Sequence, residues 1–395
     1  MEVNPGYKLT EVGVIPEDWV VKYIGEIADP VRGGSPRPAG DTKYFNGSFI
    51  PWLTVAALTN IPMSQLIVTE TATCLTEAGS LYSRILNSGT LIIANSGATL
   101  GVAKILGLKC CANDGIAALI NFRKAISTLY IAYYINTKTK YLRDVVATGN
   151  GQPNLNTTLI SNLKLPLPPT KAEQRAIAEA LSDVDALLEG LERLITKKRN
   201  IKQAAMQQLL TGKTRLPGFC GEWEEKRLGD VVKILKGQLI TEKNAISGDI
   251  PVIAGGKKPA YFHNKPNRTG KTITISASGA SAGYVAFFDE PIFASDCSTI
   301  SEGNDYSIEF IYFQLQLKQE IIFKAQTGGA QPHIHAVDLM PIAVGIPSLS
   351  EQTAIAAVLT DMDSELAALE KRRDKTRNIK QAMMQELLTG RIRLI

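Results

Sequence analysis

Arg199–Leu216 reads RNIKQAAMQQLLTGKTRL, and Arg377–Leu394 reads RNIKQAMMQELLTGRIRL. The two stretches align without a gap at an offset of about 178 positions, and the match runs back to Glu173-Gln174 and Glu351-Gln352. Roughly 26 of 44 aligned positions are identical, far above chance, so the chain is an internal duplication. Both copies must serve one fold. A residue type present in one copy and absent from the other therefore tests any role given to it.

Both copies read as long helices. Each opens with a capping box, Thr170-x-x-Glu173 and Ser348-x-x-Glu351, in which the hydroxyl accepts from an orphan backbone N–H and the Glu reaches back. Prolines stand just ahead (Pro168, Pro169, Pro347), where extended chain turns into helix. Ile177, Leu181, Val184, Leu188, Leu191 and Ile195 alternate four and three apart, and Ile355, Leu359, Met362, Leu366 and Leu369 repeat the pattern. That is a coiled-coil seam. Gly212 and Gly390 close the helices in the left-handed C′ position. At 1.5 Å per residue, some 40 residues make a rod of about 60 Å, and two matched rods in one chain most simply pair antiparallel. Charge at Lys198 and Arg373 interrupts the seam, which implies that partner helices complete its burial.

Between the rods the composition shifts to Gly, Pro, Ser and β-branched residues. Thr90–Ala94, Ala117–Phe122, Thr272–Ser276 and Tyr284–Phe288 read as strands, and Leu129–Thr137 and Ile308–Leu317 as helices. These heads are diverged copies too. Ser96-Gly97-Ala98-Thr99-Leu100-Gly101 matches Ser278-Gly279-Ala280-Ser281-Ala282-Gly283, and Gln152-Pro153-Asn154-Leu155-Asn156 matches Gln331-Pro332-His333-Ile334-His335. The expected order is a β-rich head (1–166), a central helix (167–212), a second head (213–346) and a C-terminal helix (347–395). The fold class is α+β with pseudo-two-fold duplication.

The length of 395 residues suits two domains, and 45% apolar content is enough for real cores. No apolar run reaches the roughly 18 residues of a membrane span, which points to a cytoplasmic protein with no membrane partner. Cys74, Cys110, Cys111, Cys220 and Cys297 form no C-x-x-C pair and read as reduced thiols. A net charge of +5 by itself barely favours nucleic acid.

A β-rich head ending in T-G-x-x-Q-P-N-L-N (Thr148–Asn156), then L-P-L-P-P (Leu165–Pro169), Glu173-Gln174 and a long helix, all repeated, resembles the specificity subunit of type I restriction–modification enzymes. The resemblance covers essentially the whole chain, including the opening Pro16-Glu17-Asp18-Trp19. It implies two target-recognition domains, each reading half of a bipartite site on double-stranded DNA. It also implies that the rods act as spacer and docking surface for two methyltransferase subunits, joined by restriction (nuclease–translocase) subunits. The chain itself would be non-catalytic and bind no cofactor. S-adenosylmethionine for adenine methylation, and ATP with magnesium, would sit on the partners. Half-sites about one helical turn of DNA apart suit such a rod. A recognition subunit for a fused restriction–methylation enzyme, or a coiled-coil scaffold that binds only proteins, are the alternatives.

Sequence patterns that imitate catalysis fail on comparison of the copies. Gly279–Gly283 fits the G-x-S-x-G elbow and His333 lies downstream, but the elbow needs a helix after it, Tyr284–Phe288 reads as strand, and the first copy has Thr99 where Ser281 stands. His333-x-His335 would suit a metal, but the first copy has Asn154 and Asn156. Gly212-Lys213-Thr214 and Gly270-Lys271-Thr272 lack the first glycine of a Walker motif. Asp183, Asp185, Asp361 and Asp363 read as solvated or docking charges, and the basic runs Lys197–Lys202 and Lys371–Lys380 as solvated rod faces. The DNA-reading candidates are basic and amide residues in glycine-rich parts of the heads. In the first head they are Arg32, Arg37, Lys43, Asn95, Arg123, Lys124, Gln152 and Asn154. In the second they are Lys257, Lys258, His263, Lys265, Arg268, Lys271, Gln331 and His333. Arg suits guanine and Asn or Gln suits adenine, while Lys mostly holds phosphate.

Overall fold

A computed structural model describes residues 4–149, 153–328 and 331–394. It divides into two compact units, Met1–Arg193 with Lys371–Ile395, and Leu194–Glu370. Each unit is one head with half of each long helix. The central helix spans Lys171–Leu209 and the C-terminal helix Leu349–Leu387.

The first head is built on a five-stranded sheet in the order Asp29–Arg32, Ile116–Ile120, Leu91–Ala94, Ala103–Leu106, Ile67–Val68, antiparallel except for the last pair. Its inner strands Leu91–Ala94 and Ile116–Ile120 are apolar throughout because both faces are covered. Leu91, Ile93, Ala103, Ala117 and Leu119 face the core that contains Tyr130 and Ile131 of helix Thr128–Thr137. The alternate residues Ile92, Ala94, Leu106, Ile116 and Ala118 enter a second core with Leu53, Leu58 and Leu86. A period of two along each strand thus serves two cores.

The second head repeats the first four strands of that order as Leu235–Lys236, Cys297–Ser301, Thr272–Ser276, Val285–Phe288. Ile273, Ile275 and Ile300 pack on helix Ile308–Leu317. Buried Thr274, Ser298 and Thr299 stand where the first head has the aliphatic Ile92, Ala117 and Ala118. The heads share one frame and differ in what covers its outer face.

In each unit the two long helices run antiparallel, joined by matching contacts. In the first unit Arg393 Nη2 donates to Glu173 Oε2 at 2.9 Å and its fork also reaches Asp18, while Lys380 meets Asp185 at 2.6 Å. In the second, Arg215 grips Glu351 at 2.5 and 2.6 Å and Lys202 meets Asp363 at 2.5 Å. The guanidinium of Arg393 stacks over Trp19 and that of Arg215 over Trp223, each 5.8 Å from the ring. Gln174 and Gln352 also match: each accepts from a backbone N–H, of Ser127 and Ser307, and donates to a proline carbonyl, Pro168 and Pro347. Ile177, Leu181, Leu188, Leu191, Ile195, Ile355, Leu359 and Leu366 of the seam are buried.

These pairs correct three expectations. The hydroxyls of Thr170 and Ser348 do accept from the N–H of Glu173 and Glu351, but the two carboxylates hold arginines instead of reaching back to the cap. Asp185 is not a solvated charge: it is 6% exposed and also accepts from Tyr133 Oη at 2.8 Å. The basic runs are partly interhelical, with Lys198, Arg199 and Lys202 on Glu365, Glu370 and Asp363 and Arg377 and Lys380 on Glu192 and Asp185. At Lys198 the seam's charge is therefore neutralised inside the chain.

Candidate nucleic-acid interface

Loops of the first head gather at one end of its sheet, where Leu91–Ala94 and Asp29–Arg32 finish and Ile116–Ile120 begins. The turn around Asn154 is stitched there: Thr148 and Asn154 exchange backbone hydrogen bonds, and Leu155 N donates to Asn95 O at 2.8 Å. Arg32 Nε donates to the Asp114 carbonyl at 2.7 Å, and Nη2 of Arg32 and of Arg37 lie 3.9 and 3.8 Å from Asp114 Oδ2. Ser35 Oγ donates to Asp114 Oδ1 at 2.7 Å. Beside them a cleft of about 730 Å³ is lined by Val55, Ser96, Gly97, Ala98, Arg143 and Asn154, among others.

The second head builds the same end differently. Ile334 N donates to Ala277 O and Gly279 N to Pro332 O, so the QPHIH turn sits on the Ser278-Gly279 loop. Gly279–Ser281 is a short 3-10 turn between strands Thr272–Ser276 and Val285–Phe288, so no nucleophile elbow forms. Ser278 Oγ donates to Asp296 Oδ2, and Lys257 lies 5.2 Å from the Tyr284 ring with Lys258 exposed beside it. The rings of His333 and His335 lie nearly parallel, 6.4 Å apart.

The sequence candidates separate by position. Arg32, Arg37 and Asn154 meet at the sheet end of the first head, and Lys257, Lys258, Gln331 and His333 lie in the loops of the second. Lys43 is exposed on the turn beside Tyr44, and Lys265 is exposed after strand Tyr261–His263. Arg123 and Lys124 are exposed at the opposite sheet end, where Lys171 Nζ of the central helix donates to Lys124 O at 2.9 Å. Gln152 lies outside the described residues.

Four candidates are held by the fold itself. Asn95 is 2% exposed and its Nδ2 donates to Asp114 O. His263 is 9% exposed, accepts from Ile246 N at Nδ1 and packs edge-on to Phe293. Arg268 donates to Thr299, Asn267 and Lys236, and Lys271 is paired with Glu309 at 2.6 Å. Burial shields Asn95 and His263 from a base edge, while hydrogen bonds and an ion pair hold Arg268 and Lys271 to their own head. The sequence did not single out Asp114, Arg84 and Arg143, which the fold brings to the same sheet end. Arg84 Nε donates to Arg32 O and Arg143 Nη2 to Ala98 O, which brings both to the same end. The Asn113-Asp114 and Ser295-Asp296 match between copies was the available signal.

The family model described as type I restriction modification DNA specificity domain matches twice, at residues 16–202 and 221–377. The MjaVIII type I restriction enzyme specificity subunit of Methanocaldococcus jannaschii is 24% identical over 96% of this chain and 94% of its own length. The MjaIX specificity subunit of the same organism is 31% identical over 58% of this chain and 55% of its own. A crystal structure of the S subunit from M. genitalium superposes with a TM-score of 0.69 at 17% identity, covering 98% of this chain and 99% of that one. The chain belongs to the type I restriction–modification DNA specificity family, with one specificity domain in each matched stretch. Its role is therefore DNA sequence recognition within a type I restriction–modification system.

Proposed function

We propose that each head reads one half of a bipartite, asymmetric DNA site and that the paired helices set the spacer between the halves. The observation that carries this reading is the contrast between the copies. The clamp of Arg393 on Glu173 and Lys380 on Asp185 recurs residue for residue as Arg215 on Glu351 and Lys202 on Asp363. The loop ends do not recur: Arg32 and Arg37 flank Asp114 in one head, while Ser278 engages Asp296 in the other. A constant frame with two unlike reading ends suits two unlike half-sites. Arg32, Arg37, Lys43 and Asn154 in the first head, and Lys257, Lys258, Lys265, Gln331 and His333 in the second, are the side chains left to contact DNA. Arg84 and Arg143 join them.

Two methyltransferase subunits dock on the helices and restriction subunits complete the complex. Catalysis is theirs: adenine methylation with S-adenosylmethionine, and ATP-driven translocation and cleavage. The setting is the cytoplasm. Among the described residues no helix is long and apolar enough to cross a membrane.

Methylation sequencing of cells that carry this chain with its neighbouring methyltransferase tests the reading. A methylated-adenine motif of two short, unlike halves around a fixed gap is expected. An uninterrupted motif, or none, would overturn it.

A further inference from the structure

We infer that Arg32, braced by Asp114, reads a guanine in the half-site of the first head, and that the second head has no such contact. This rests on the DNA-reading assignment above and deepens it to one base.

Arg32 is the last residue of strand Asp29–Arg32, so its side chain stands at the loop end of the sheet. The following residue, Gly33, presses on the Asn113 and Ala112 carbonyls so closely that a Cβ there would overlap both. That contact fixes Arg32 against the Asn113-Asp114 turn. Asp114 is itself anchored. Its carbonyl accepts from Arg32 Nε at 2.7 Å and from Asn95 Nδ2 at 3.3 Å, and its Oδ1 accepts from Ser35 Oγ at 2.7 Å. The Nε edge of Arg32 is thus used. The terminal Nη pair, on a side chain 58% exposed, remains to donate two parallel hydrogen bonds.

Guanine presents two adjacent acceptors, O6 and N7, to such a fork. Adenine and cytosine each present a donor there, and thymine presents one acceptor beside a methyl group. A phosphate also accepts from a guanidinium fork. Here it would meet the negative charge of Asp114, whose Oδ2 lies 3.9 Å from Arg32 Nη2 and 3.8 Å from Arg37 Nη2. A neutral base edge meets no such repulsion.

The second head is a built-in control. Gly237 presses on the Ser295 and Ala294 carbonyls as Gly33 does, but the residue before it is Lys236. Its Asp296 is engaged by Ser278. An ammonium is a point charge without a planar fork.

The test uses the full chain with its methyltransferase, on duplexes carrying the motif found by methylation sequencing. Each guanine in turn is replaced by 7-deazaguanine, which lacks the N7 acceptor. Replacement at one guanine, in one half only, is expected to weaken binding by roughly tenfold or more. Arg32→Ala should be insensitive at that position, accept other bases there, and read the other half unchanged. Arg32→Lys keeps the charge and should not restore the preference. Asp114→Asn should blunt discrimination at the same position while keeping the salt dependence of binding to random duplex, which a general loss of structure would not do. Equal weakening by Arg32→Ala on every duplex, with the motif unchanged, would make Arg32 a phosphate contact and overturn this inference alone. So would a bipartite motif with no 7-deazaguanine-sensitive position. Absence of any bipartite motif would instead remove the DNA-reading assignment, and this contact with it.

Discussion

Replacing Arg393 by alanine strips the clamp of the first unit. Glu173 is left with a side chain 4% exposed and no cationic partner, and Asp18, half exposed, loses its bidentate partner. Removing one partner of a buried pair costs about 3–5 kcal/mol, because the remaining charge has been taken out of water uncompensated. Arg393 is itself 25% exposed, so water enters the vacated space and the loss falls near the lower bound, about 3 kcal/mol. Unfolding midpoints of units this size move about 2–4 °C per kcal/mol, so a drop on the order of 6–12 °C is expected by calorimetry. Glu173→Gln in the same chain should recover part of it, since a neutral amide costs less to bury alone. The copy supplies a second measurement: Arg215→Ala strands Glu351, whose side chain is 1% exposed, and should cost at least as much. A midpoint shift under 1 °C for Arg393→Ala, or additive effects of Glu173→Gln and Arg393→Ala, would show that the pair does not couple and that the clamp does not hold the helices.

The remaining predictions rest on local packing and titration. Lys104 is buried and donates to the carbonyls of Pro62 and Gln65 at 2.7 and 2.6 Å, and burial pushes its pKa down to about 8. Between about pH 8 and 10.5 the unfolded chain holds that proton and the folded chain releases it, so the contribution of Lys104 to stability rises with pH across this window by up to about 3 kcal/mol. Buried thiols with raised pKa values pull the other way, so the increment is read as the difference between the wild type and Lys104→Met in urea titrations; the same slope in both would refute it. Gly33→Ala and Gly237→Ala each force a methyl into carbonyl oxygens that cannot move, and each should destabilise its own head by about 1–3 kcal/mol or more, read as a shifted denaturant midpoint. Burial pushes the thiols of Cys110 and Cys297 up to about 12, and Cys220 is exposed. Native protein at pH 8 should therefore label quickly at Cys220, with Cys110 and Cys297 reacting only after unfolding; fast labelling of Cys297 would contradict its placement.

Much of the fold was legible because it is local and periodic. The heptad leucines and isoleucines fixed both long helices, and the repeat fixed their pairing. Thr272–Ser276 and Ile308–Leu317 have the bounds the sequence suggested. What the sequence hid depends on partners far along the chain. Glu173 has the spacing of a capping residue, and only the fold brings Arg393 to it. Asp185 looks like a surface acid until Tyr133 and Lys380 close over it. The proposed reading end was half legible for the same reason. Arg32 and Arg37 were visible as basic residues in a glycine-rich stretch. Asn95 and His263 share that chemistry but turn inward, and residue type alone does not report side-chain direction. Arg143 follows a helical stretch and carries no local mark of its place beside Ala98.

The spacer claim is tested most directly by lengthening both helices together. One heptad inserted between Arg193 and Leu194, and one between Lys371 and Arg372, leaves every matched ion pair of each unit in register. The rod gains about 10 Å, or about three base pairs of duplex. Methylation sequencing should return the same two half-sites with a gap about three base pairs longer. An unchanged gap, with methylation intact, would contradict the account.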